Sequence, residues 1–131
     1  MKADSGTVTF KGNNLLSANS KHRKNMFYIG HEPSMYSFFS PYENLKFLLK
    51  TRGLISNLRY INEKLYYYGL IEFIDKPISV FSKGMLQKLK LAQADLINPD
   101  LLLFDEPYTG LDDDGVLLVD KLIEKIKKQN K

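Results

Sequence analysis

A chain of 131 residues with 44% hydrophobic residues is at most one domain, large enough to bury a core of its own. Its net charge of +4 admits an anionic partner, but the lysines are scattered, and the densest group, Lys121, Lys125, Lys127, Lys128 and Lys131, reads as the solvated side of a terminal helix, so nucleic acid is not expected as a partner. The absence of cysteine excludes disulfides and thiolate metal sites. No apolar run reaches the roughly 18 residues a membrane span needs, and Met1–Gly6 lacks a signal peptide's apolar segment, so the chain is expected in the cytosol, with any membrane role supplied by a partner.

In chain order, Asp4-Ser5-Gly6 is a turn signal, and Thr7–Gly12, rich in β-branched residues, predicts a short strand. Met26–Gly30 predicts a second, buried strand, followed by a loop from His31 to Pro41 with two prolines and several aromatics. Pro41 suits the first turn of a helix that carries Leu45, Leu48 and Leu49 and stops at Gly53. A second helix covers Leu58–Tyr68 with Gly69 as its stop, and Ile71–Ser79 is a turn-rich connector. A third helix starts near Ser82 with an apolar face of Met85, Leu86, Leu89, Leu91, Ala92 and Leu96. Leu101–Phe104 is a continuous apolar run, as expected of a central parallel strand covered on both faces, and Val116–Lys128 is the last helix. The fold class is therefore α/β, with too few strands for a complete sheet.

Two places carry chemistry. The run Leu101–Phe104 enters Asp105-Glu106-Pro107, and ligands of open α/β sheets sit outside the carboxyl ends of strands. Two acids there are costly to desolvate unless a cation or hydrogen-bond donor meets them. A Mg²⁺-nucleotide would do so, with Asp105 toward Mg²⁺ and Glu106 as general base on an attacking water. The plain alternative is a turn that starts with an acidic pair. Asp112-Asp113-Asp114 precedes the last helix, where negative charge favours the helix start, and this alone accounts for Asp113 and Asp114. Upstream, Ser82 is a candidate N-cap, and Gly84 permits close approach to the first helical turn. A helix start with free N–H groups attracts anions, so Ser82, Lys83 and the Gly84 amide are phosphate-contact candidates, with simple capping as the alternative.

Taken in order, these segments resemble an ABC ATPase. Phe81-Ser82-Lys83-Gly84-Met85 is similar to the family signature usually written LSGGQ, Leu101–Asp105 to its Walker B strand, Glu106 to its catalytic glutamate, and Gly110-Leu111-Asp112 to its D-loop. Asp4–Leu16 resembles the strand and turn after the Walker A helix, Ile29–Pro33 the Q-loop region, and Tyr42-Glu43-Asn44-Leu45 the helix start behind it. The resemblance implies a partial P-loop NTPase-type ABC ATPase fold: residues 1–30 hold strands after a Walker A helix, 31–98 the Q-loop and signature helices, and 99–131 the Walker B strand, D-loop and following helix. It implies ATP and Mg²⁺ as cofactors, Asp105 toward Mg²⁺, Glu106 as base, and Ser82, Lys83, Gly84, Asp112 and Glu32 as nucleotide-site residues. The implied partners are a second ATPase subunit, paired head to tail, and an integral membrane permease touched by Tyr36, Phe38 and Phe39, with the chain peripheral on the membrane's cytoplasmic face.

The signature, Ile29-Gly30-His31-Glu32-Pro33 and Pro107–Asp112 are most similar to haem-exporter-type ATPases of cytochrome c maturation, and multidrug- and antibiotic-type exporters share much of the pattern. Three departures stand out. No G-x-x-x-x-G-K-[ST] occurs in the sequence, and the family places that loop upstream of Met1. The switch histidine is missing, since His22 and His31 stand elsewhere. Glu32 occupies the usual Q-loop glutamine position, and an ionised carboxylate cannot donate a hydrogen bond. A non-hydrolytic remnant is therefore an alternative. A soluble ABC ATPase acting on ribosomes or DNA is another, although its tandem domains or long coiled coils are not visible.

Overall fold

The computed structural model describes residues 5–17 and 25–129. Asp4 of the first turn, His22 and Lys131 lie outside the described residues. The predicted strand at Thr7–Gly12 is a tight hairpin instead: β1 (Thr9–Phe10) pairs antiparallel with β2 (Asn13–Asn14). The two turn residues, Lys11 and Gly12, both have positive φ, 48° and 74°, the backbone a two-residue hairpin requires.

β3 (Met26–Ile29) and β4 (Leu101–Phe104) pair in parallel with register Met26↔Leu101 through Ile29↔Phe104. The parallel direction expected of the apolar run is therefore present, but its burial on both faces is not. Leu103 is 43% and Tyr28 62% exposed, because helices pack on only one side of this pair among the described residues.

Helix α1 (Pro41–Thr51) starts in a capping box, with Ser40 Oγ accepting from the Glu43 amide and the Glu43 carboxylate accepting from the Ser40 amide. Buried Asn44 binds the backbone of Tyr36, Phe39 and Ser40 and so holds the preceding loop against the helix. Helix α2 (Leu58–Tyr67) is capped by Asn57. Short 3-10 turns at Ile71–Phe73 and Ile78–Val80 fill the connector.

Helix α3 (Lys83–Ile97) begins at the Ser82 cap and ends at Asn98 in the left-handed conformation. The sequence suggests one apolar face. In the fold α3 is the central helix, packed between the strand pair and the other helices, and from Leu89 to Leu96 every residue is buried, including Lys90, Gln93 and Asp95. The core gathers Leu45 and Leu49 of α1, Ile61 and Leu65 of α2, Leu89, Leu91 and Ala92 of α3, and Ile29 of β3. Helix α4 (Asp113–Lys128) starts three residues before Val116, because Asp112 caps it and Asp113 and Asp114 favour its positive N-terminal end. Val119, Leu122 and Ile126 form its buried stripe.

Candidate active site

The carboxyl ends of β3 and β4 lie side by side, and the Asp105 amide donates to Ile29 O at 2.9 Å, extending the ladder to the first acid. This register brings the loop after β3 against the loop after β4. Glu32, Asp105 and Glu106, 74 positions apart at the extremes, consequently line one cleft of about 220 Å³ together with Lys83, Gln87, Lys90 and Thr109. All three carboxylates are exposed, so the desolvation cost argued from the sequence does not arise in this chain.

Asp105 accepts a hydrogen bond from the Tyr28 hydroxyl at 3.1 Å. The ring of Tyr28 lies over Gly30, where a Cβ would come within 2.6 Å of it. The bond to Asp105 holds the Tyr28 hydroxyl above its ordinary pKa. Glu106 has φ +51°, a left-handed conformation that costs a non-glycine residue about 1–2 kcal/mol. Such strain concentrates at functional positions. Its carboxylate accepts from Thr109 Oγ1 at 3.3 Å, and the Thr109 amide donates to Glu106 O at 3.2 Å, closing the turn after the acids.

Helix α3 sets the floor. Lys83, Gln87 and Lys90 recur at i, i+4 and i+7 and so share one stripe. Gln87 Nε2 donates to Pro107 O at 3.0 Å. Lys90 Nζ donates to Gly30 O at 2.7 Å and His31 O at 2.8 Å. Burial lowers the Lys90 pKa, with the Glu32 charge opposing that shift.

The other sequence-derived candidates lie beside this cleft. Ser82 Oγ accepts from the Met85 amide at 3.2 Å, the capping role. Gly84 does permit a close approach, and the group that approaches is the Gly110 carbonyl, 2.7 Å from where a Cβ would stand. Asp112 caps α4 by accepting from the Gly115 amide at 2.9 Å, and Lys88 pairs with it at 3.1 Å. Those two contacts, the Lys88 one first, lower the Asp112 pKa. Sequence reasoning missed Tyr28, Gln87, Lys90 and Thr109. Only Lys90 left a signal, a lysine inside the otherwise apolar stretch from Leu89 to Ala92.

No cluster of three or more metal-ligating side chains forms among the described residues. Mg²⁺ does not require one, since it is usually held by one or two carboxylates, phosphate oxygens and water. The cleft fits that pattern: hard oxygen donors stand on two loops, with Lys83 among the residues that line it.

A parallel strand ending in paired carboxylates beside a capped, glycine-bearing helix start defines part of an ABC-type ATP-binding fold. The chain belongs to the ABC transporter family, whose model matches residues 1–109. It is 31% identical over 115 residues to the cytochrome c biogenesis ATP-binding export protein CcmA of Yersinia pseudotuberculosis, covering 88% of this chain and 52% of that protein. It is 37% identical over 98 residues to the bacitracin transport ATP-binding protein BcrA of Enterococcus faecalis, covering 75% of this chain and 32% of that protein. A solved ATP-binding subunit of an ABC transporter superposes with a TM-score of 0.84 at 26% identity, covering 98% of this chain and 55% of that one. The chain thus spans between about a third and just over half of the length of these relatives.

Proposed function

We propose that this chain carries the metal and general-base half of an ATP-hydrolysing site that powers an ABC transporter. The observation that supports this most is the meeting of Glu32, Asp105 and Glu106 in one cleft beside the Ser82-Lys83-Gly84 helix start. Asp105, with Glu32 nearby, would hold Mg²⁺, which neutralises charge on the transferring phosphoryl group when bound. Glu106 accepts a proton from the attacking water at its carboxylate, and Thr109 orients that carboxylate by its hydrogen bond. Ser82, Lys83 and Gly84 form a second contact surface, turned toward a nucleotide held by a second ATPase subunit, with Asp112 at the same interface. Tyr36, Phe38 and Phe39 form an exposed aromatic group suited to a permease helix, and Phe38 is 88% exposed.

Haem export in cytochrome c maturation is the cargo reading, supported by the identity to CcmA. The higher local identity to BcrA favours a second reading, export of a peptide antibiotic.

The test is Glu106→Gln in the assembled transporter. Hydrolysis should fall by about 10²- to 10⁴-fold while ATP binding persists. Phosphate release at the wild-type rate would remove Glu106 from the role of base. Stimulation of hydrolysis by haem, or by bacitracin instead, decides the cargo.

A further inference from the structure

We infer that Lys90 is a positioning residue that clamps the Glu32 loop onto the acidic strand end and thereby aims Glu32 into the cleft shared with Asp105 and Glu106. Its residue is only 8% exposed although it carries an ammonium group. A lysine is rarely buried this far without partners. Its partners here are two consecutive backbone carbonyls, Gly30 O at 2.7 Å and His31 O at 2.8 Å, immediately before Glu32. Charge-assisted bonds of this length are about twice as strong as neutral ones. The same helix face ties the other acidic loop through Gln87 and Pro107 O. Helix α3 is the most buried element, with every residue from Leu89 to Leu96 buried. One helix face therefore braces both loops, in addition to the strand ladder and the Tyr28–Asp105 bond. The charge of Lys90 also faces the Glu32 carboxylate across the cleft, so a bare counter-charge role is the competing account.

Part of this inference rests on the reading of the cleft as a Mg²⁺-nucleotide site, and two measurements on the 131-residue chain keep the two apart. In the first, amide hydrogen exchange by mass spectrometry is followed over residues 29–35 without metal. Lys90→Met keeps the aliphatic stem and removes the donors. It should speed exchange of this segment about tenfold or more, with α3 still protected, and Lys90→Arg should restore the protection. Unchanged exchange in Lys90→Met overturns the clamp. So does acceleration spread over the whole chain in both variants, which marks a structural role alone.

In the second, Mn²⁺ binding is titrated by electron paramagnetic resonance. Removing a nearby positive charge should tighten binding of a cation if charge were all that mattered. The clamp requires the opposite sign: Lys90→Met weakens Mn²⁺ binding about tenfold, and the effect disappears in a Glu32→Gln background. Tighter or unchanged binding overturns the aiming of Glu32. If the unaltered chain, like Asp105→Asn, holds no Mn²⁺, the metal reading of the cleft fails, and the exchange measurement alone decides whether Lys90 orders the loop.

Discussion

Gly84 shows how a single missing side chain links the helix start to the acidic turn. An added Cβ would stand 2.7 Å from the Gly110 carbonyl oxygen, a backbone atom that cannot rotate away. Alanine in the first turn of α3 gains up to about 1 kcal/mol in helix propensity, while forced overpacking costs about 1–3 kcal/mol. The clash should win, so Gly84→Ala is expected to lower stability by about 1 kcal/mol and to depress the thermal midpoint measured by circular dichroism. A raised midpoint would show that the 110 loop yields freely. At this scale the sequence says that something must come close to residue 84, but not what. A glycine reports the absence of a Cβ, whereas its neighbour is set by the turn at Gly110, where φ is +75°. Glu106 is a case of the opposite kind. Its chemistry is legible from the acidic pair, while its left-handed backbone goes against what any local rule expects of a glutamate.

Among the elements, α3 is held by more than apolar contact. Asp95 is 5% exposed and is bonded by Lys64 of α2 at 2.6 Å and by Lys125 of α4, so one carboxylate fastens three helices. Burial pushes the Asp95 pKa up, but the bonds and charges of Lys125 and Lys64 outweigh it, and the net shift is downward. A carboxylate with a depressed folded pKa contributes stability above its unfolded value of about 4 and loses it as pH falls through the folded value. Wild type should therefore exceed Asp95→Asn by about 1–3 kcal/mol at neutral pH, with the gap closing below about pH 4. Urea melts of both proteins across that range check this, and a gap independent of pH would mean that the carboxylate charge is not what stabilises. Leucine spacing, Pro41 and the glycine stops make α1 and α2 readable from the sequence. The polar residues of α3 are not readable in the same way: Gln87 and Asp95 look like a solvated face by periodicity and Lys90 interrupts an apolar stretch, whereas each is buried against a partner distant in sequence. The last helix is readable except for its start, because Asp113, Asp114 and Gly115 are poor helix formers admitted by the Asp112 cap.

For the whole molecule, the two-stranded parallel pair is the feature with the largest consequence. Parallel strands normally lie inside sheets covered on both faces. Leu101–Phe104 reads from its sequence as such a strand, yet Leu103 and Tyr28 remain open to water. The discrepancy has a physical origin: a run of apolar residues records the environment for which a strand is suited, and among the described residues only α3 and the core beside it supply one face. Among the described residues this face stands uncovered. An exposed apolar face flanked by strand edges invites pairing between copies. The isolated 131-residue chain should accordingly sediment as oligomers at micromolar concentration, and Leu103→Lys should shift it toward monomer, since a charge on that face must be desolvated when copies meet. The +4 net charge opposes association only weakly at physiological salt, where screening acts within about 8 Å. Analytical ultracentrifugation of the two proteins decides the matter. A wild-type monomer that melts in one cooperative transition would mean that the helical core alone keeps the strand pair in solution, and that the open face carries less association energy than its apolar area implies.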